Sequence, residues 1–496
     1  MTTSMITAPG LDVRAFRNQI LIDGKFRNSI SGRTFETRNP ATGELLTHVA
    51  EGDAGDIDAA VKSSRRAFSG PWRKFSPFER QAGLLRFAEL VDQHFEELVM
   101  LDVLDMGVPI TIARGRQKRA LGLLRYYAGA CVNISGATLP NSLPGDVFTY
   151  TLKRPVGVVG AITPWNGPII QTIWKIGPVL ATGCTVVVKP AEEAPLTTLR
   201  LGELVLEAGI PEGVVNVVPG FGHTAGAALA SHTDVDKISF TGSNAVGQKI
   251  IAASASNIKR VTLELGGKSP NVFFSDCDIE AAVQGAATGA FANTGQVCYA
   301  GTRLLVQRPI YSEFVERLSA IAGNLKIGGG IDPQTQIGPV VSKAQLHRIA
   351  DYIKIGSGEG AEVCCGGKLL DTGNFKDGFF IQPTVLTNVR NNMKVAQDEI
   401  FGPVACAIPF DTVEEATTIA NATTFGLGAG VWTRNVKTAH YMSENIQAGT
   451  VWVNTYSQLD PSVPFGGLKS SGYGKEGGLE QIADYLATKA VIMNLS

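Results

Sequence analysis

The chain has 496 residues, 44% of them hydrophobic, and sets 44 Lys plus Arg against 45 Asp plus Glu. At roughly 150 residues per domain this length calls for two or three domains. The near-neutral balance supplies no basic excess to draw the chain to nucleic acid or to an anionic membrane surface. Seven cysteines (Cys131, Cys184, Cys277, Cys298, Cys364, Cys365, Cys406) include no CxxC pair, and six scattered histidines include no HExxH. That usage fits a large intracellular enzyme better than a disulfide scaffold or a zinc site, so no metal is expected.

Residues 1–16 contain no cationic stretch followed by an apolar run, so they do not read as a signal peptide. No apolar run approaches the roughly 18 residues of a membrane span. The longest, 156–162, is interrupted by Gly157 and Gly160 and stopped by Pro164. A cytoplasmic location is expected. Asn39 to Gly43 (NPATG) predicts a turn, and helical periodicity covers 56–68, 77–104 and 121–127. From Ile134 the chain is punctuated by Gly136, Pro140, Pro144 and Gly145, and 147–154 (VFTYTLKR) alternates like a strand. Strands are then expected over 156–163, 185–189, 214–218, 237–240 and 261–265, alternating with helices over 169–181, 197–208, 225–231 and 246–255. Such alternation implies a parallel sheet covered on both faces. A second series starts near Val272, with helices over 279–292, 312–322 and 343–355 and strands over 303–306 and 450–453. Two α/β domains follow. The short apolar strand at 489–494 (KAVIMN) has no partner nearby in sequence, and a bare edge is a liability. It is expected to pair with 147–154 or with a neighbouring subunit.

Two glycine-bearing turns follow strands and open helices: 220–226 (GFGHTAG), with Gly222, and 240–247 (FTGSNAVG), with Gly242 and Ser243. Glycine lets a backbone approach a phosphate, and a helix N-terminus offers free N–H donors. Neither has the GxGxxG spacing, and either alone also fits a tight strand-to-helix turn. Residues 262–269 (TLELGGKS) nearly match a phosphate-binding GxxxxGKS loop, but Thr262 stands where glycine is required, so an ATPase reading is rejected. Lys189 and Glu192 follow the strand TVVVK, on the side of a parallel sheet where ligands bind. They could serve the ribose hydroxyls of NAD or form a solvated ion pair.

Three segments together are more specific: FANTGQVCYA with Cys298, LELGGKSP with Glu264 at a strand end, and ITPWNGP with Asn166. Singly, these residues also fit a buried small side chain, a salt-bridged strand end and an Asx turn. Jointly they fit aldehyde oxidation. A carbonyl carbon has no hydride ready to leave until a thiolate adds to it. The resulting alkoxide needs donors, which an Asn amide and the Cys298 N–H can supply. After hydride loss, a carboxylate must activate the water that hydrolyses the thioester.

At these residues the chain resembles the aldehyde dehydrogenase superfamily, and looks closest to its hydrolytic, NAD-linked branch, over almost the whole length. The motifs are PWN, KPAEE, FTGS, LELGGKSP, GQVC, EIFGP and PFGGLKSSGYG. The resemblance implies Cys298 as nucleophile, Glu264 as general base and Asn166 as oxyanion donor. It implies Lys189 and Glu192 on the adenosine ribose, with Gly222, Gly242 and Ser243 in the phosphate-facing turns. Glu399 would lie on the nicotinamide ribose beside Phe401, and Trp165 along the cofactor channel. The implied fold is α/β, with two doubly wound open-sheet domains and a small β bridging element. It assigns 1–133 and 156–267 to a Rossmann-like cofactor-binding domain, 268–483 to a catalytic domain, and 134–155 with 484–496 to oligomerisation strands that join a homodimer or homotetramer.

Departures from the family pattern bear on substrate. Gly167 stands where relatives often carry an aromatic, which widens the tunnel, and Tyr299 stands where a smaller residue is usual. By position, Gln171, Trp174, Phe291, Tyr456, Leu459 and Phe465 line the rest. The aromatic cage for a quaternary ammonium is missing at Gly167 and Phe465, which argues against betaine aldehyde. A wide, largely apolar tunnel points to medium aliphatic or arylalkyl aldehydes. NAD is expected over NADP because Glu192 would repel a 2′-phosphate, although Lys189 partly offsets it. Two rival readings remain: a CoA-acylating dehydrogenase, which does not need Glu264, and a cysteine esterase or amidase, which would need a histidine partner for Cys298.

Overall fold

The computed structural model describes residues 17–496; the signal-peptide reading of residues 1–16 lies outside them. Two sheets carry the fold. The first runs, edge to edge, Lys25–Arg27, Ile20–Ile22, Val215–Val217, Thr185–Lys189, Val158–Ile162, Lys237–Thr241, Arg260–Glu264 and Gly472–Tyr473. Its five central strands are parallel and four of them are fully buried, as apolar runs such as VVGAI and TVVVK require when helices cover both faces. In chain order these five strands are arranged 3-2-1-4-5, so connections leave in opposite directions on either side of Val158–Ile162. A crevice opens at that reversal, beyond the carboxyl ends of Val158–Ile162 and Lys237–Thr241.

The second sheet runs Glu362–Cys365, Thr384–Thr387, Val404–Phe410, Arg303–Gln307, Pro270–Phe273, Gly428–Trp432 and Thr450–Val453, parallel except at its first strand. The two sheets are not tied only through the chain at 265–269. Gly472–Tyr473, late in the sequence, returns to pair antiparallel with Arg260–Glu264, and so fastens the strand that ends in Glu264.

A separate ribbon pairs Leu486–Asn494 with Val147–Pro155 in nine antiparallel pairs, the first of the two partners foreseen for the C-terminal strand. The helix expected over 77–104 is instead two, Pro77–Gln93 and Phe95–Met106. The break falls at His94, whose ring turns to Glu97 and Arg200. The helix expected from Ala225 begins as a π-type turn at Gly222–Gly226 and continues as Ala227–Ser231. Among the described residues no helix is long and apolar enough to cross a membrane.

Candidate active site

Cys298 sits in a loop whose shape is set locally. After the helix Ile279–Phe291, Asn293 and Thr294 take left-handed conformations at φ 51 and 57. That region costs a β-branched residue energy, and such strain persists only where surrounding bonds over-determine it. Here they do. Thr294 Oγ1 donates to the Gly338 carbonyl at 3.0 Å, and Val341 N–H donates to Gln296 Oε1 at 3.0 Å. Asn293 Nδ2 donates to the carbonyls of Asn166 and Gln296 at 3.1 and 3.2 Å, and Asn166 Nδ2 donates to the Gln296 carbonyl at 3.0 Å. The loop after Val158–Ile162 is thereby stitched to the loop that presents the thiol. One N–H of the Asn166 amide is engaged, and its second remains for another acceptor.

Glu264 ends its strand with both carboxyl oxygens buried and without a partner. A methyl group at Gly466 would collide with its Oε1, so glycine there is what admits the carboxyl. Burial pushes the Glu264 carboxyl well above the usual range. Glu476 adds to the rise, and Lys175 and Lys475 oppose it. Glu476 and Lys175 form a buried ion pair beside it. Burial likewise pushes the Cys298 thiol up to about 12, helped by the Glu399 and Glu264 carboxyls.

Two clefts meet at these groups. The first is lined by Trp165, Gly242, Ser243, Gly266, Gln345, Arg348, Glu399 and Phe401. The second is lined by Arg116, Arg119, Gly167, Gln171, Trp174, Tyr299, Phe465 and Glu476. Asn166, Thr241, Glu264 and Cys298 line both. Three segments far apart in sequence thus converge on one junction.

The first cleft has the chemistry of a dinucleotide site. The helix Asn244–Ser254 points its N-terminus from Ser243, whose side chain does not cap it, leaving first-turn N–H groups for an anion. The Glu399 carboxylate accepts from Gly267 N–H at 3.2 Å, and a methyl at Gly266 would overlap it. Burial pushes this carboxyl up to about 7, against the pull of the Gly267 N–H. Phe401 stands edge-on to Trp165 at 5.2 Å, its left-handed backbone (φ 60) held by Gln345 Nε2 donating to its carbonyl at 2.8 Å. At the far strand end Lys189 pairs with Glu192 at 2.9 Å, and Gly222 N–H donates to Glu192 at 3.3 Å. Burial disfavours the Glu192 carboxylate, but Lys189 and backbone N–H groups together outweigh it and hold the carboxyl below its ordinary value. A cluster able to grip ribose hydroxyls is therefore ionised and poorly suited to a further phosphate.

The second cleft departs from expectation. Gly167, Gln171, Trp174, Tyr299 and Phe465 line it, whereas Phe291, Tyr456 and Leu459 do not. Phe291 is buried at the end of its helix, and Tyr456 lies behind the wall, where its hydroxyl donates to the Tyr299 carbonyl at 2.8 Å. Leu459 packs, half-buried, on the core. The wall is largely apolar, as expected, but Arg116 and Arg119 also belong to it. Neither arginine lies in a motif that carried the resemblance. The only signal was the basic run 114–119 (RGRQKR). Gln345 and Arg348 escaped for a similar reason: they are one helical turn apart on Lys343–Gly358, a spacing that reads as an ordinary solvated face until the helix is docked.

The fold and the joined clefts are those of a dehydrogenase, and comparison with known proteins names the group. The profile of the Aldehyde dehydrogenase family matches residues 26–491, and the chain belongs to that family. DhaS of Bacillus subtilis is 49% identical over 96% of both chains. Human mitochondrial aldehyde dehydrogenase is 46% identical over 99% of this chain and 95% of its own. The NAD+ complex of the Bacillus cereus aldehyde dehydrogenase superposes with a TM-score of 0.95 at 46% identity, covering 98% of each chain.

Proposed function

We propose that this protein oxidises an aldehyde to a carboxylic acid with NAD, through a thioester on Cys298. The observation that carries the reading is the position of the thiol, the Asn166 amide and the Glu264 carboxyl at the junction of the two clefts. The Cys298 sulfur adds to the aldehyde carbon, its proton leaving the thiol, and the oxygen becomes an alkoxide held by the Asn166 amide and the Cys298 N–H. Bound NAD+ would supply the acceptor for the hydride on this carbon, and its positive charge would favour the thiolate. A thioester remains. Glu264, as the carboxylate, takes a proton from water, the water oxygen bonds to the acyl carbon, and the C–S bond breaks to return the thiol. The balance is aldehyde, NAD+ and water to acid, NADH and a proton.

Lys189 and Glu192 would hold the adenosine ribose, Ser243 and the first turn of its helix the pyrophosphate, with Gly222 and Gly242 in the flanking turns. Glu399 would hold the second ribose, between Phe401 and Trp165. The ionised Glu192 favours NAD over NADP. The test is NADH formation across an aldehyde panel, with NAD and NADP, with and without CoA, for the wild type and Cys298→Ala. We expect Cys298-dependent, CoA-independent turnover that prefers NAD. Activity that survives Cys298→Ala, or that requires CoA, would overturn the reading.

We further infer a homodimer or homotetramer joined through the ribbon 147–155 with 486–494. Phe148, Ile492 and Met493 are exposed on it, 42%, 66% and 43% respectively. Apolar groups on an unpartnered sheet edge favour association. Ile492→Glu should move the particle to a smaller size in sedimentation; an unchanged value would count against this surface. The domain limits stay as the sequence assigned them, with Gly472–Tyr473 lent to the cofactor sheet. We infer a cytoplasmic enzyme from its seven free thiols, and cell fractionation tests it.

A further inference from the structure

Among the described residues, the substrate cleft carries one positive charge with no carboxylate paired to it. Arg116 and Arg119 both line it. Arg116 is committed inward: its Nη1 donates at 3.1 Å to Asp102, which is wholly buried and also accepts from Thr197 at 2.8 Å. Glu476 is committed to Lys175, and the burial of Glu264 favours its neutral form. Arg119 is different. Among the described residues no carboxylate lies within ion-pair distance of it, and its Nη2 is buried without a hydrogen-bond partner. The side chain is nevertheless fixed. Its guanidinium lies over the Trp174 ring at 4.3 Å, Trp174 stacks parallel on Phe465 at 6.1 Å, and Tyr299 stands edge-on to Phe465 at 5.4 Å. Trp174 Nε1, a second donor, is also buried and unpartnered.

An unsatisfied buried donor costs about 1–3 kcal/mol, and more when it is charged. Two such donors stand on one wall, with the Arg119 guanidinium stacked on Trp174 and Trp174 on Phe465. Gly167 adds no side chain to that wall; a Cβ there would be 3.8 Å from Arg116 Nη1.

Resting on the reading of the chain as an aldehyde oxidiser, we propose that its substrate carries a carboxylate distal to the aldehyde, held by Arg119 against Trp174 and within the field of Arg116. A guanidinium meets a carboxylate with two parallel N–H donors, and a cleft wall excludes the water that would weaken the pair. The expected medium aliphatic or arylalkyl chain then becomes the spacer between the two groups, packed against Trp174, Phe465 and Tyr299.

The experiment compares shape-matched pairs, 4-carboxybenzaldehyde with 4-methylbenzaldehyde and 5-oxopentanoate with hexanal, by kcat/KM for the wild type, Arg119→Met and Arg119→Lys. The wild type should prefer the carboxylate of each pair at least tenfold. Arg119→Met should bring that ratio close to one, and Arg119→Lys should retain part of it. The ratio reads the charge, because a general loss from poor folding lowers both members of a pair alike. A wild-type preference for the neutral member, or a ratio that Arg119→Met leaves intact, overturns the proposal while leaving the chemistry at Cys298 standing. No Cys298-dependent NADH from any of the four aldehydes would instead remove the underlying reading.

Discussion

The Cys298 thiol and the Glu264 carboxyl are both pushed toward their neutral forms, and for both the first cause is loss of water. A thiol pushed up to about 12 reacts only through its small thiolate fraction, which grows about tenfold per pH unit below the pKa. Alkylation of Cys298 by iodoacetamide, mapped by peptide mass spectrometry on protein without added nucleotide, should therefore climb steadily from pH 7 to 10. A plateau near pH 9 would indicate an ordinary cysteine. Glu264 adds a second dependence of the same sign. The pKa of its carboxyl is raised, so the base is created as pH increases above the ordinary carboxylate range, and thioester hydrolysis should accelerate with pH. Glu264→Gln should flatten that limb and leave a burst of NADH followed by slow turnover, about 10²–10⁴-fold below wild type in steady state. Stopped-flow absorbance at several pH values separates burst from turnover. A variant that turns over like the parent would remove Glu264 from the role of base.

Single elements make these residues meet. The helix Pro168–Thr182 starts right after Asn166 and Gly167, carries Gln171 and Trp174 into the substrate cleft, and holds Lys175 against Glu476. Breaking a buried ion pair from one side costs about 3–5 kcal/mol, because a charge is left without a partner. Lys175→Met should thus lower the melting temperature by several degrees, and Lys175→Met with Glu476→Gln should recover much of the loss. A double variant no more stable than the single one would mean that the lysine contributes mainly through packing. The candidate catalytic part of this neighbourhood was legible in the sequence because chemistry restricts which residues can serve, and because strand ends place them: Lys189 and Glu264 end strands of the first sheet, and Asn166 and Ser243 follow two others. The specificity-bearing part was not. Arg119 looks like any surface cation until its helix, Gln117–Cys131, is packed on Pro168–Thr182 and brings it over Trp174. Phe291 and Tyr456 fail in the opposite sense, since position along the chain cannot tell a wall from the layer behind it. Several second-sheet strands were missed because their composition is poor in pattern. Gly428–Trp432 (GAGVW) carries two glycines, and Val404–Phe410 (VACAIPF) is apolar throughout until its proline.

Over the whole molecule, buried acids connect layers that share no sheet. Asp102 and Asp105 lie on the helix Phe95–Met106. Asp102 reaches Arg116 and Thr197, while Asp105 accepts from the Thr37 hydroxyl and from the Leu196 N–H. Burial pushes the Asp105 carboxyl up to about 7, despite both hydrogen bonds. Because the folded state holds this proton more tightly than the unfolded chain, the stability it contributes is complete below about pH 4 and is lost as pH rises through 7. Asp105→Asn cannot ionise. Its melting temperature relative to wild type should become more favourable from pH 5 to pH 8, as calorimetry can follow; a difference independent of pH would mean that Asp105 does not titrate in this window.

The nine-pair ribbon also has a consequence for synthesis. Val147–Pro155 leaves the ribosome about 330 residues before its partner Leu486–Asn494. At about 5–20 residues per second, one half of the hairpin waits roughly 15–70 s with its backbone unpaired. During that interval Lys153 and Arg154 are the charges that discourage a stray strand from docking, and the subunit surface cannot form. The ribbon is thereby completed last, after both α/β sheets have been translated, and any pairing of copies through it would have to wait for that strand.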